Sequence, residues 1–152
     1  MKYLSTRGGV SDLSFCEAAI MGLASDGGLL IPESIPDVSN ELPRLASLSY
    51  SDLALEVMGH FIDDIPRVEL QRLISESYDT FADPLVTPLV KVDDFYVLEL
   101  FHGPTLAFKD IAMQLLGNFY EYYLNNKNQK INIVVATSGD TGAAAIDSIK
   151  GK

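Results

Sequence analysis

The chain has 152 residues, of which 47% are apolar and 21% charged, and its 21 acids against 11 bases leave a formal charge of −10. That apolar content supports one domain-sized core and excludes a disordered tail, and no apolar run reaches the roughly 18 residues a membrane-spanning helix needs. The acidic balance, unbroken by any Lys/Arg stripe, repels a polyphosphate backbone and argues against nucleic acid, whereas a small anionic substrate stays open if helix N-termini or a few cations supply local positive potential. Cys16 is the only cysteine, so no internal disulfide and no thiol metal site are expected, and a reducing cytoplasm is the expected compartment. No basic leader with a short apolar core follows Met1, which sets the expectation of a chain without a secretory signal or a membrane partner.

In chain order, Lys2 to Ser5 predicts a short strand. Asp12 or Ser14 then caps a helix over Phe15, Ala18, Ala19 and Leu23 that breaks between Gly22 and Gly28. Leu29 to Ile31 predicts a second strand stopping at Pro32, and Pro32, Pro36 and Pro43 mark an extended connection. Ser51 caps a helix carrying Leu53, Ala54, Val57, Met58 and Phe61, and Pro66 opens another with Val68, Leu70, Leu73 and Ile74. Up to about Ala82 the chain is thus mostly helical with little β content.

Near residue 85 the pattern changes. Leu89 to Val92 and Phe95 to Leu100, separated by Asp93-Asp94, predict a β-hairpin. A long helix starts near Lys109 and carries Ala112, Leu115, Leu116, Phe119 and Tyr123 on one face as far as Asn125-Asn126. Ile131 to Ala136 is a continuous apolar run of the kind buried on both faces of a parallel sheet, and Thr141 to Ile149 predicts a helix of small residues able to approach that sheet closely. Strand, glycine loop and helix in this order open an α/β sheet, so the expected class is α/β: a mostly helical N-terminal piece, 1–84, followed by the beginning of an open α/β sheet domain, 85–152.

Two stretches carry residues suited to chemistry. In Phe101-His102-Gly103-Pro104-Thr105-Leu106-Ala107-Phe108-Lys109-Asp110, the spacing from Lys109 to Ala112 and Leu116 aims the amine at the buried face of its helix. Burial and the positive end of the helix dipole both favour the neutral amine, a nucleophile that forms a Schiff base with an aldehyde. The plainer alternative is a solvated lysine, or one paired with Asp110 at a helix start. In Thr137-Ser138-Gly139-Asp140-Thr141-Gly142, hydroxyls and free N–H groups converge at a helix N-terminus, which suits a carboxylate or phosphate. Its plainer alternative is a turn capped by Asp140 or Thr141. The loop is neither a P-loop nor a three-glycine dinucleotide motif.

The combination is more specific than either stretch. HGPTLAFKD around Lys109 followed by TSGDTG resembles the threonine synthase family within the fold-type II pyridoxal phosphate enzymes. The resemblance extends through Ser5-Thr6-Arg7-Gly8, Asp26-Gly27-Gly28-Leu29-Leu30-Ile31-Pro32 and Leu98-Glu99-Leu100, covering essentially the whole chain.

The resemblance implies conversion of O-phospho-L-homoserine and water to L-threonine and phosphate, with pyridoxal 5′-phosphate held as a Schiff base on Lys109, which also moves protons at Cα and Cβ. It places the substrate α-carboxylate on Ser138, Gly139, Asp140 and Thr141, with Thr137 in support, and sets Asp140 near the cofactor's 3′-oxygen. Related enzymes carry Asn there, and an acid beside a phenolate is tolerable only when protonated or turned away. His102 is expected to set the shape of its loop through a hydrogen bond. Arg7 either binds the substrate phosphate or forms a structural salt bridge, Cys16 fills a small core position, and His60 complements a helix dipole.

Two alternatives accompany this reading: a threonine-synthase-like phospholyase that releases 2-oxobutyrate, and a non-catalytic fragment. In this family the cradle for the cofactor phosphate and the partner of the pyridine nitrogen lie C-terminal to Lys152. The isolated chain is therefore expected to be an N-terminal fragment, inactive alone. Its oligomeric state is left open.

Overall fold

A computed structural model describes residues 1–152 and shows a mixed α/β chain. Packing separates two compact units, Met1–Gln71 and Arg72–Lys152. None of the helices is long and apolar enough to cross a membrane.

In the first unit, strand β1 (Tyr3–Ser5) pairs antiparallel with β2 (Leu30–Pro32), Leu4 standing opposite Ile31. Ser14 caps α1 (Phe15–Met21) in a full capping box: its hydroxyl accepts from Glu17 N–H while the Glu17 carboxylate accepts from Ser14 N–H, so two otherwise orphaned donors are satisfied at once. Gly22, at φ 67°, ends the helix. The proline-rich connection is not wholly extended, because Pro43 falls in the first turn of a short α2 (Leu42–Leu45), where its missing N–H costs nothing. Helix α3 (Tyr50–Gly59) is capped by Ser49 rather than Ser51, and His60 lies at its C-cap as expected. Arg44 and Arg67 both donate to the Glu56 carboxylate.

Helix α4 (Arg67–Tyr78) begins just after Pro66, as predicted, and its later part opens the second unit with Leu73, Ile74 and Ser77 buried. The hairpin forms from β3 (Leu89–Val92) and β4 (Phe95–Leu98), with Asp93 at φ 52° in the turn; β4 ends before Leu100. The two remaining helices are α5 (Asp110–Lys127) and α6 (Asp140–Ile149). Of the line expected to face inward on α5, Leu115 and Phe119 are buried, Leu116 and Tyr123 are half-buried and Ala112 is exposed; Asp110, Gln114, Gly117 and Asn118, which apolar periodicity did not pick out, complete the buried face. Gly117 lets α6 approach: a Cβ there would fall 2.4 Å from the Ser148 carbonyl oxygen. Buried Ala144, Ala145 and Ser148 complete the contact, so the small residues of α6 meet a helix rather than a sheet.

One predicted element does not form. Ile131 to Ala136 has no strand structure, all six residues are exposed, and Val134 is 93% exposed. A β ladder requires a neighbour for its backbone N–H and C=O groups, and both ladders in the chain are local antiparallel pairs that offer none to this segment. Ile131 and Ile133 instead line one side of an open groove of about 510 Å³ with Tyr120, Leu124 and Ile149.

These differences in burial set the expected mutational costs. Ile74→Ala, at a position with no exposure, is expected to destabilise the chain by about 2–5 kcal/mol in urea unfolding. Val134→Ala should change stability by less than about 0.5 kcal/mol.

Candidate functional site

Lys109 occupies the N-cap position of α5 and is half-buried, with Nζ 4.6 Å from the centroid of the Phe108 ring. Asp110 beside it is completely buried and does not pair with it. Its Oδ2 accepts the Thr105 N–H at 2.8 Å and its Oδ1 accepts the Thr105 hydroxyl at 2.6 Å. The loop wraps closely around this carboxylate. Gly103 passes so near that an added Cβ would sit 2.5 Å from Asp110 Cβ, and Leu106 is held at φ 61°, a left-handed conformation that costs a bulky residue about 1–3 kcal/mol. Upstream, His102 Nε2 lies 2.7 Å from Glu99 Oε2 while its carbonyl accepts the Ala82 N–H, so its hydrogen bonds do set the shape of the loop.

The glycine loop enters α6 through Gly139, whose φ of 149° and ψ of −72° suit glycine alone. Neither Asp140 nor Thr141 caps the helix. Thr137 Oγ1 accepts the Gly139 N–H at 3.4 Å, and a Cβ on Gly142 would meet Thr137 Cγ2 at 2.8 Å. The first bond of α6 runs from Ala143 N–H to the Gly139 carbonyl, so the N–H groups of Asp140, Thr141 and Gly142 precede the helical ladder and point outward from its start. Thr137, Ser138, Gly139 and Asp140 are exposed, and Thr141 is half-buried.

Contacts between α5 and α6 ascend together along both chains. Gln114 Nε2 donates to Asp147 Oδ2 at 2.8 Å, Gly117 abuts Ser148, and Lys152 Nζ donates to Asn118 Oδ1. The helices therefore run in the same direction. The same register carried back toward the N-termini brings the head of α5, with Lys109, and the head of α6, with Asp140 to Gly142, to one end of the pair. Each of these helix starts carries the positive end of its dipole, the kind of local potential that favours an anion.

The first unit contributes a different arrangement. Asp26 accepts from Ser5 Oγ at 2.7 Å, Gly9 N–H at 2.8 Å and Gly28 N–H at 2.9 Å, and Arg7 Nη1 donates to the Asp26 carbonyl at 3.1 Å. Arg7 is thus tied to a backbone oxygen rather than to a carboxylate. Cys16 is half-exposed rather than a core residue, its N–H donating to Asp64. No cluster of His, Cys, Asp or Glu has the arrangement of a metal site. Sequence reasoning missed Thr105 and Glu99. The only signal for Thr105 was a hydroxyl residue before a helix start facing an acid just inside it.

Comparison with known proteins adds three findings. Residues 2–78 match the family described as threonine synthase N terminus. Threonine synthase of Schizosaccharomyces pombe is 47% identical over 100% of this chain, and threonine synthase-like 2 of Xenopus laevis is 42% identical over 99% of it; the matches cover 32% and 33% of the two relatives. The crystal structure of PLP-bound threonine synthase from Brucella melitensis superposes with a TM-score of 0.92 at 46% identity, covering 98% of this chain and 33% of that one. The chain spans about a third of the length of the relatives it matches.

The Asp26 turn carries a pH signature. The Ser5 hydroxyl foremost, then Gly28 N–H, hold its carboxyl below the usual carboxylate range. A depressed folded-state value stabilises the fold above the unfolded value of about 3.9 and loses that effect as pH falls through the folded one. Asp26→Asn is therefore expected to lower the thermal midpoint at pH 7, with the gap to the parent closing as scans move into strongly acidic buffer.

Proposed function

The chain belongs to the threonine synthase N-terminal family, and from that premise we propose that it supplies the reactive-lysine part of an enzyme that converts O-phospho-L-homoserine and water to L-threonine and phosphate, a carbon–oxygen lyase acting on phosphates. The observation that carries this reading is Lys109 at the head of α5, half-buried and without a carboxylate partner, with open N–H groups at the start of the parallel helix α6. Residues 85–152, from the Asp93-Asp94 hairpin onward, would form the start of the cofactor domain, with 1–84 as the N-terminal domain.

The residues present fit the aldehyde end of pyridoxal 5′-phosphate. An aldehyde needs an amine free of a salt bridge, and Asp110 is bonded to Thr105 instead of to Lys109. When bound, the cofactor supplies an electron sink for charge developing at Cα and Cβ. Lys109 is assigned two tasks: holding the cofactor's aldehyde carbon, and moving protons at those two atoms. Ser138, Gly139 and Thr141 are assigned the substrate α-carboxylate, which the N–H groups and dipole of α6 favour, and Thr137 supports the turn. Asp140 is exposed at the first position of α6, so its carboxylate can turn to water instead of crowding the 3′-oxygen near which it is placed. The lone thiol of Cys16 suits a cytoplasmic location.

The match to threonine synthase-like 2 favours a second reading, release of 2-oxobutyrate from the same substrate. A chimaera in which residues 1–152 replace the matching third of the Schizosaccharomyces pombe enzyme tests both. With pyridoxal phosphate and O-phospho-L-homoserine, threonine and phosphate are expected in equal amounts, and Lys109→Ala should lower turnover at least about 1,000-fold, the order expected when a nucleophile and proton carrier is removed. An oxo acid without threonine would overturn the first reading in favour of the second, and a fully active Lys109→Ala chimaera would overturn both.

A further inference from the structure

We propose that Thr105 and Asp110 form a clasp that aims Lys109, an inference that rests on the reading of Lys109 as the reactive amine. The Asp110 carboxylate has no exposure, and both its oxygens take hydrogen from a single residue, Oδ2 from the Thr105 N–H and Oδ1 from the Thr105 hydroxyl. This two-point contact ties the loop before α5 to the first turn of the helix, with Lys109 held between the two anchors. The chain between them is tightly constrained. The Asp110 N–H donates to the Ala107 carbonyl at 3.0 Å, only glycine fits at 103, and Leu106 stays at φ 61°. A leucine remains in that conformation only where surrounding contacts outweigh its cost, and the Thr105–Asp110 contact brackets it.

The clasp also accounts for an acid lying next to a nucleophilic lysine. An adjacent carboxylate free to rotate could pair directly with the Lys109 side chain. Asp110 is instead turned inward with its acceptors occupied. Consecutive side chains at a helix start diverge, so the acid faces the core while Lys109 faces the open end, its Nζ over the Phe108 ring. Thr105 and Asp110 are therefore positioning residues that act through the loop. Of these three residues, Lys109 alone touches the reactants.

Two rates at Lys109 in the chimaera, each measured by peptide mass spectrometry relative to Lys91, which is exposed in this chain, test the clasp. One is reductive methylation by formaldehyde, which needs no cofactor. The other is incorporation of pyridoxal phosphate trapped by borohydride. In Thr105→Val, well below its unfolding midpoint, Lys109 methylation should rise several-fold to the rate of Lys91, while pyridoxal phosphate incorporation at Lys109 falls about tenfold because the amine is no longer aimed. Thr105→Ser should restore both ratios, which a purely structural contribution to stability would leave unmoved.

Asp110→Asn, which sets an amide donor against Thr105, should act in the same direction. If that variant does not fold, Thr105→Val decides. An unchanged methylation ratio in folded Thr105→Val overturns the clasp. A parent chimaera that shows no preference for Lys109 in pyridoxal phosphate incorporation overturns the reading of Lys109 as the reactive amine, and the methylation arm still judges the clasp.

Discussion

Helix α5 buries a face on which Asp110, Gln114 and Asn118 stand among Leu115, Gly117 and Phe119, and each buried polar side chain costs about 1–3 kcal/mol where a partner is missing. The second unit is arranged to leave none missing. Asp110 takes both donors of Thr105, Gln114 donates to Asp147, and Asn118 donates to Ser77 Oγ at 2.7 Å and accepts from Lys152. These bonds reach the loop before α5, then α6, then α4. Apolar contacts tolerate rotation of a helix about its axis, but hydrogen bonds at three successive levels do not. The direction in which the head of α5 faces is set by groups along its length, and Lys109 inherits that direction.

The same constraint determines the electrostatics. Gly117 brings α6 against α5 in a parallel sense, so two helix dipoles present their positive ends together. A chain with a formal charge of −10 offers a diffuse field hostile to anions, yet that field is screened over roughly 10 Å while the helix-end effect acts at contact distance. The proximity of Asp110 to Lys109 in sequence would be self-defeating in an extended peptide. In the folded loop Asp110 is buried against Thr105 and makes no ion pair with Lys109.

Relatives of about three times the length share this architecture at high similarity, which explains where sequence pattern and structure part. Ile131 to Ala136 has the composition of a strand buried in a parallel sheet, and such a strand exists only beside neighbours. With the two ladders of the chain closed locally, the segment keeps its β-prone sequence and lies open to solvent. Its pattern is that of a larger assembly, and the exposed hairpin residues Phe95 and Tyr96 fit the same account.

Elements governed by neighbours in sequence were legible from the residues alone: the Ser14 cap of α1, the helix after Pro66, the hairpin around Asp93-Asp94, and the glycine entry to α6. The family was legible from Lys109 and the loop from Thr137 to Thr141, because their residue types occur in a combination that few families share. The α3 cap was misjudged because Ser49 and Ser51 are equivalent by type, and only backbone direction distinguishes them. The buried face of α5 was legible only in part because apolar periodicity cannot register a polar side chain whose partner lies 33 or more residues away, as for Gln114 and Asn118. Sequence by itself determined the local elements and the family resemblance, since propensity, capping and motif spacing act over a few positions. Tertiary structure alone decided which groups meet, that Asp110 pairs with Thr105 and not Lys109, and that two helix heads share one end, because long-range hydrogen bonds and close packing select a single rotation and register among many the pattern allows.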